Sequence, residues 1–405
     1  MTQIKIALIS FEYPPKTVIG GIGSYMYQTS QMLIKRNIYV EVFTSTVGET
    51  NESSIEDGVL IHRLSTADHN YFRKEIVSLF KERNSKIHFS CIEGPEYGAD
   101  TYYIKKSFPE IPLHIKLHTP SFLIRDITVK KLTIFQKVRF VLGALKKLEK
   151  PVAYWRYKCK NDLEYLNLLD ATYITSPSKD LIKQVKKRWK IDKPVYYLPS
   201  SYSPRSELLE ISASNLPDKP IITYIGRLEI RKGVHNFIAI IPKVASVYPN
   251  VIFRFIGRDF PSSSKGVSMK NYLSSSLSDF IKNIEFAGEI SQSDLPKFLV
   301  NTSICVFPSL WENFPNVCLE SMSAARCVIG GKNGGMSEML ANDCGILVDP
   351  KKPNEIAETI IKILKEPEII TQRGIRARDK ILKAYNEDVI SKHYCSLLIN
   401  NLEGE

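Results

Sequence analysis

Two glutamates stand eight positions apart in the stretch "SLWENFPNVCLE", Ser309 to Glu320. A carboxylate can accept two hydroxyls of a sugar or ribose at once, so Glu312 and Glu320 are candidates for diol recognition. The apolar run Ile304–Phe307 before them reads as a strand, and the chain from Asn316 or Val317 onward as a helix. Glu312 then falls in the loop Pro308–Pro315, and Glu320 in the first turns of the helix. The backbone through Phe314, Pro315, Asn316 and Val317 lies at the helix start, where free N–H groups can meet hydroxyl or phosphate oxygens. For this stretch alone, a Glu320 that merely complements the helix dipole is an adequate account.

Four other loops carry residue types of the same kind. In "YIGRLEIRKG", Arg227 and Lys232 lie five residues apart in a turn closed by Gly233 and can converge on one diphosphate. Arginine supplies a planar fork and lysine a mobile point charge; solvated surface charge is the alternative. In "FEYPPKTVIGGIGSY", Gly20, Gly21 and Gly23 precede a helix starting near Ser24. There the backbone can approach a ligand closely and offer N–H groups to an anion, with a simple tight turn as the alternative. The spacing is not that of a dinucleotide fingerprint. His118 in "IKLHTPS" ends a strand at the carboxyl edge facing a cleft, although a packed histidine would satisfy the pattern too. In "GGKNGGMSEML", Gly334 and Gly335 permit close backbone approach, Met336 and Ser337 N–H groups are open to an anion, and Glu338 is suited to supporting the loop.

Such loops need a frame, and the chain supplies one in its alternation of short β-branched runs with longer amphipathic ones. Strand candidates are Ile4–Ser10, Tyr39–Thr44, Val59–Leu64, Ile87–Ile92, Leu113–His118, Ala171–Thr175 and Val195–Leu198. A second series follows at Ile221–Ile225, Val251–Ile256, Ile284–Ala287, Ile304–Phe307, Cys327–Gly330 and Gly345–Val348. Helical patterns such as Gly23–Lys35, Val234–Val247, Ser293–Val300, Glu320–Ala324 and Pro353–Lys365 intervene. The alternation predicts an α/β fold with two Rossmann-like, doubly wound parallel-sheet domains, 1–200 and 201–385, facing each other across a cleft. The Ser- and Pro-rich segment Leu198–Pro220 is the expected linker. In such sheets ligands sit outside the carboxyl ends of the strands, where all the loops named above fall.

Composition excludes several classes. At 405 residues, 43% hydrophobic and 24% charged, the chain is globular and long enough for two cores. No apolar run is long enough to span a bilayer. The opening "MTQIKIALISFEYPP" reads as a first strand, not a signal peptide. Seven scattered cysteines without a Cys-x-x-Cys pair argue for reduced thiols and a cytoplasmic setting. The net charge of +12 is concentrated between Asp126 and Lys160, where ten Lys/Arg meet two acids in an amphipathic helical pattern. A solvated helix face, an anionic membrane surface or lipid-phosphate acceptor, and nucleic acid are the competing partners. The last lacks any accompanying recognition motif, and no nucleic-acid partner is expected.

Taken together and in order, these motifs resemble the family-four retaining glycosyltransferases of the GT-B fold. The likeness runs over nearly the whole chain, through "PPKTVIGGIGSY", "IEGPEYG", "LHTPS", "YIGRLEIRKGV", "FPSLWENFPNVCLESM", "GGMSEML" and "GILVDPKKPNEIAETI", with Glu312-x7-Glu320 the most specific element. The resemblance implies that Arg227 and Lys232 neutralise the donor's diphosphate and that Glu320 holds the ribose hydroxyls. Glu312, with the backbone of Phe314, Pro315, Asn316 and Val317, would grip the donor sugar and its phosphate. His118 would contact the sugar near the reacting centre, and Gly20 and Gly21 would approach the phosphates and acceptor. A C-terminal helix, 386–405, would pack back on the first domain. No Asp-x-Asp pair occurs, so neither a metal nor any other cofactor is expected.

The function so implied is retaining transfer of a hexose-type sugar from a nucleotide-sugar donor, a UDP-sugar by expectation. The basic helical segment suggests an acceptor that is lipid-linked or a polysaccharide precursor for cell-surface glycan, with the protein cytoplasmic or peripheral on the membrane's inner face. A soluble acceptor, or a non-catalytic sugar-nucleotide or polyanion-binding module, are the alternatives; the module would be expected to have lost Glu312, Arg227 or Lys232. Two departures from the family pattern stand out. Ala325 and Cys327 replace a usual Gly and Pro, which should alter a turn. "ENFPNV" replaces a glycine-rich loop with a stiffer one.

Overall fold

The computed structural model describes residues 3–17, 20–128, 134, 138–139, 141–143, 158–262, 264 and 266–403. The first sheet holds β1 (Lys5–Ile9), β2 (Tyr39–Thr46), β3 (Glu52–Glu56), β4 (Val59–Ser65), β5 (Cys91–Pro95), β6 (Leu113–Lys116), β7 (Tyr173–Ser176) and β8 (Val195–Tyr197). Their order is β3-β4-β2-β1-β5-β6-β7-β8. The second holds β9 (Ile221–Ile225), β10 (Ile252–Ile256), β11 (Ile284–Gly288), β12 (Ile304–Phe307), β13 (Cys327–Gly331) and β14 (Ile346–Val348), in the order β11-β10-β9-β12-β13-β14. Every pairing is parallel except that of β3 with β4. The central strands, such as β1, β9, β12 and β13, are short, apolar and buried on both faces, as parallel strands covered by helices must be.

Both strand orders reverse direction once. In the first sheet the reversal lies between β1 and β5, and in the second between β9 and β12. At such a point the loops leaving two adjacent strands diverge to opposite faces and open a crevice. The loops after β1, β9 and β12 are those that carry the glycines, Arg227 with Lys232, and Glu312.

One expected strand needs correction, and one strand is additional. Ile87–Ile92 is not one strand: Ile87 ends the helix His69–Ile87, and His88 stops it at a left-handed φ of 56°. The Asn84 side chain accepts the following Phe89 N–H at 3.0 Å, and β5 begins only at Cys91. The first sheet also carries β3, an antiparallel edge strand joined to β4 through Asp57 and Gly58, both at positive φ. That Asp-Gly pair is the sequence signal of a tight hairpin. The Leu198–Pro220 segment, the expected linker, runs from β8 to β9 and packs as it does so. Tyr202, Leu208 and Ile211 are buried against the second sheet's helices, and Tyr202 N–H donates to Tyr385 O at 2.8 Å.

After β14 the chain forms helices Pro353–Leu364 and Pro367–Ala384, then turns into Glu387–Glu403. This last helix lies on the first sheet, burying Ile390, Tyr394 and Leu398 with Ile6, Leu8, Met26 and Leu33. The Tyr394 hydroxyl donates to buried Glu93, which also receives Tyr25 Oη at 2.6 Å. All seven cysteines are free thiols. Among the described residues no helix is long and apolar enough to cross a membrane. Most of the basic segment 126–160 lies outside the described residues; helix Ser121–Thr128 leads into it.

Candidate active site

The loop after β9 is pressed onto the loop after β12. Gly233, at φ 73°, makes that possible: a Cβ there would fall 1.8 Å from the Pro308 carbonyl oxygen. Leu310 N–H donates to Arg231 O at 3.0 Å, fixing the two loops together. Within this clasp Lys232 Nζ sits 2.5 Å from Glu312 Oε1, and Arg231 lies 3.9 Å from the same oxygen. Arg231 continues to Glu229 at 3.1 Å, and Glu229 to Arg227, also at 3.1 Å. A chain of alternating charge therefore links Arg227, Arg231 and Lys232. Arg227, half exposed, lies over the Phe260 ring at 5.5 Å, while Lys232 is mostly covered.

Glu312 and Glu320 answer to opposite environments. Burial works to raise the Glu312 pKa, but the Lys232 and Arg231 cations outweigh it and hold the carboxyl below its usual range. Glu320 has no such partner, and desolvation pushes it up to about 7. Glu312 is thus a fixed anion that orients cations, whereas Glu320 is an acid whose charge is sensitive near neutrality. Glu320 lies on helix Asn316–Ser323, which begins after Pro315 without any side-chain cap. Of the four residues singled out at this start, Pro315 has no N–H to offer, which narrows the donors to Phe314, Asn316 and Val317.

Asn316 and Glu320 line a cleft of about 610 Å³ between the two sheets' layers. Arg205, Gln292 and Leu295 complete its second-sheet wall; Tyr13, Ser24, Tyr27 and Gln28 face them from the first. Hydroxyl and amide side chains on both walls are interspersed with charged and apolar ones, among them Lys35, Glu56, Asp57 and Leu208. Arg227, Lys232, Glu312 and His118 are not among the lining residues, whereas Asn316, at the start of the helix that follows Glu312, is.

His118 follows β6 in the first sheet. Its backbone N–H donates to buried Glu96 at 2.6 Å, and Nδ1 lies 3.1 Å from the Lys116 carbonyl. The ring rests edge-on against Tyr25 at 5.1 Å, and Nε2 has no hydrogen-bond partner among the described residues. Gly20 stands immediately before helix Gly21–Lys35; a Cβ on it would strike the Glu12 carboxylate at 2.5 Å, whereas one on Gly21 would project into open space. Burial raises the Glu12 pKa, and His118, Asp100 and His69 are among the titratable groups around it. Glu12 and Arg231 were in plain view in "FEYPP" and "EIRKG", but nothing in the spacing set them apart.

The loop after β13 behaves differently from expectation at one donor. Ser337 N–H bonds to Gly334 O at 3.3 Å, so it is not open to an anion. Gly334, at φ 80°, lets the loop touch Glu312, and Gly335 N–H donates to Glu312 O at 2.8 Å. Glu338 reaches beyond its own loop: its carboxylate accepts the N–H groups of Lys179 and Asp180 at 2.6 and 3.2 Å, at the start of helix Lys179–Trp189 in the first unit. Trp311 also crosses, burying its ring in the first sheet's core and donating Nε1–H to Asp180 at 2.8 Å.

Residues 209–380 match the family model described as glycosyl transferases group 1. Over its whole length the chain is similar to an uncharacterised glycosyltransferase of Methanocaldococcus jannaschii, 22% identical with 96% of each chain covered. The sucrose-phosphate synthase of Thermosynechococcus elongatus superposes with a TM-score of 0.75 at 19% identity, covering 100% of both chains. The Anabaena HepE structure in complex with UDP gives 0.64 at 14% identity, covering 98% of this chain and 100% of that one. The two-sheet architecture is that of the GT-B fold.

Proposed function

We propose that the chain, whose residues 209–380 match the family model described as glycosyl transferases group 1, moves a hexose-type sugar from a UDP-sugar to a hydroxyl of a glycan or lipid-linked acceptor, with retention and without a metal. The observation that carries the reading is the clasp at the second sheet's crevice. Lys232 and Arg231 converge on Glu312, and Arg227 joins through Glu229, beside an uncapped helix start. When the sugar–phosphate bond breaks, charge develops on the diphosphate, and preorganised cations and helix N–H groups stabilise it without reorganising. We assign the ribose hydroxyls to Glu320, which lines the cleft beside that helix start. UDP is favoured because the HepE neighbour carries it. The absence of an Asp-x-Asp pair in the sequence supports metal independence.

A second acceptor class is favoured by the cleft itself, whose hydroxyl and amide side chains suit a soluble sugar. A panel of UDP-, GDP- and ADP-sugars tests the reading, with chelator present throughout and the product anomer assigned by NMR. We expect turnover with a UDP-sugar, and loss of about a hundredfold to a thousandfold in kcat for Lys232→Ala. Unchanged turnover in Lys232→Ala would remove the site assignment, and a chelator-sensitive rate would remove the metal-free one.

A further inference from the structure

Asn313 follows Glu312 in the loop after β12 and is buried. Its two amide atoms are both committed to the first unit. Its carbonyl oxygen accepts the Ser178 hydroxyl at 2.7 Å, and its NH2 donates to the backbone carbonyl of His118. Only the nitrogen can meet a carbonyl favourably, so the network fixes which way the amide faces. Ser178 is in turn the cap of helix Lys179–Trp189, receiving Leu181 N–H at 3.2 Å. Trp311 and Glu338 also bond to the first residues of this helix.

We propose that Asn313 is a positioning residue for sugar transfer: it ties the loop bearing Glu312 to the backbone of His118, so that the leaving-group cations of one unit and the histidine of the other come into register together. The proposal rests on the transferase reading above. An amide is the group this gap requires, because one end must donate to a carbonyl while the other accepts from a hydroxyl. A glycine or alanine would leave the Ser178 proton unmatched and remove the tie altogether. An aspartate of nearly the same shape would set a carboxylate oxygen against the His118 carbonyl, replacing attraction with repulsion. Protonating that aspartate would restore a donor.

The test compares Asn313→Ala, Asn313→Asp and Asn313→Leu with the wild type, reading kcat and donor KM across pH. We expect kcat to fall about tenfold to a hundredfold in the alanine and leucine variants, with donor KM changed far less. Asn313→Asp should be the most impaired at neutral pH and should recover as pH falls, while the other two do not. A residue that only fills space would give the reverse order, with aspartate mildest and no pH-dependent recovery, and that result overturns the proposal. Should Asn313→Asp fail to fold, the leucine variant decides, since it keeps the volume without either hydrogen bond; wild-type kcat in it also overturns the tie. Amide exchange at Lys179, Asp180 and Leu181 separates the two readings. If the wild type transfers nothing from any donor, the function fails; faster exchange in the variants then still supports the tie, and unchanged exchange ends it.

Discussion

Glu312 and Glu320 belong to one short motif, yet their surroundings divide them. Glu312 is fixed in its charged form by Lys232 and Arg231, while burial alone acts on Glu320 and lifts it to about 7. The sign of the consequence can be worked out. With its pKa raised from 4.5 to about 7, folded Glu320 keeps a proton that the unfolded chain has released, so stability falls as pH rises through that window. Glu320→Gln removes the titration. Without nucleotide, this variant should melt higher than the wild type at about pH 8, with the gap closing toward about pH 4. Its affinity for UDP should fall because a carboxamide has only one acceptor oxygen for the ribose hydroxyls. Calorimetry across pH checks both, and a gap independent of pH would show that Glu320 is not the titrating group. The sequence marked the two carboxylates by type and spacing; their opposite charge behaviour depends on neighbours it could not place, chiefly Arg231.

Helix Asn316–Ser323 shows how an element absorbs a substituted residue. Its end is closed by Ala325 N–H to Met322 O at 3.0 Å and Arg326 N–H to Ser321 O at 3.0 Å, with Ala325 at a φ of 49°. This is the left-handed cap that glycine ordinarily provides. The expected altered turn is therefore the ordinary turn made by a residue with a Cβ, held by the buried Arg326 guanidinium on the Ala324 and Thr302 carbonyls at 3.0 Å each. Ala325→Gly should relieve the conformation and raise stability by about 1 kcal/mol, read as a higher melting temperature without loss of turnover. A lower melting temperature would mean that glycine's freedom in the unfolded chain outweighs the relief. Strands at this scale were legible because both faces are buried and the runs are continuous. Ile87–Ile92 resembles a strand because β-branched and aromatic residues continue across a helix stop that only the His88 backbone reveals.

Across the whole molecule, two sheets are joined by side chains that cross rather than by the linker alone. Tyr394 brings the last helix to Glu93, and Trp311, Asn313 and Glu338 bring the second unit's loops to the helix Lys179–Trp189. The net charge of +12 is also a property of the whole, and its richest segment bears on where an acceptor could come from. We expect anionic liposomes to pellet the protein at low salt, and neutralising Lys130, Lys131, Lys146 and Lys147 to abolish this, at about 1 kcal/mol per charge near the surface. No pelleting at low salt would favour the soluble acceptor. By itself, the sequence determined the strand–helix alternation, the two-sheet class and the loops that lie at carboxyl edges, because hydrophobic period and turn residues are local properties. Only the tertiary structure decided that Lys232 meets Glu312, that Trp311 belongs to the other sheet's core, and that Asn313 reaches His118. These pairings join residues far apart in the chain, and no local pattern encodes which distant side chain will fill a given buried partner's need.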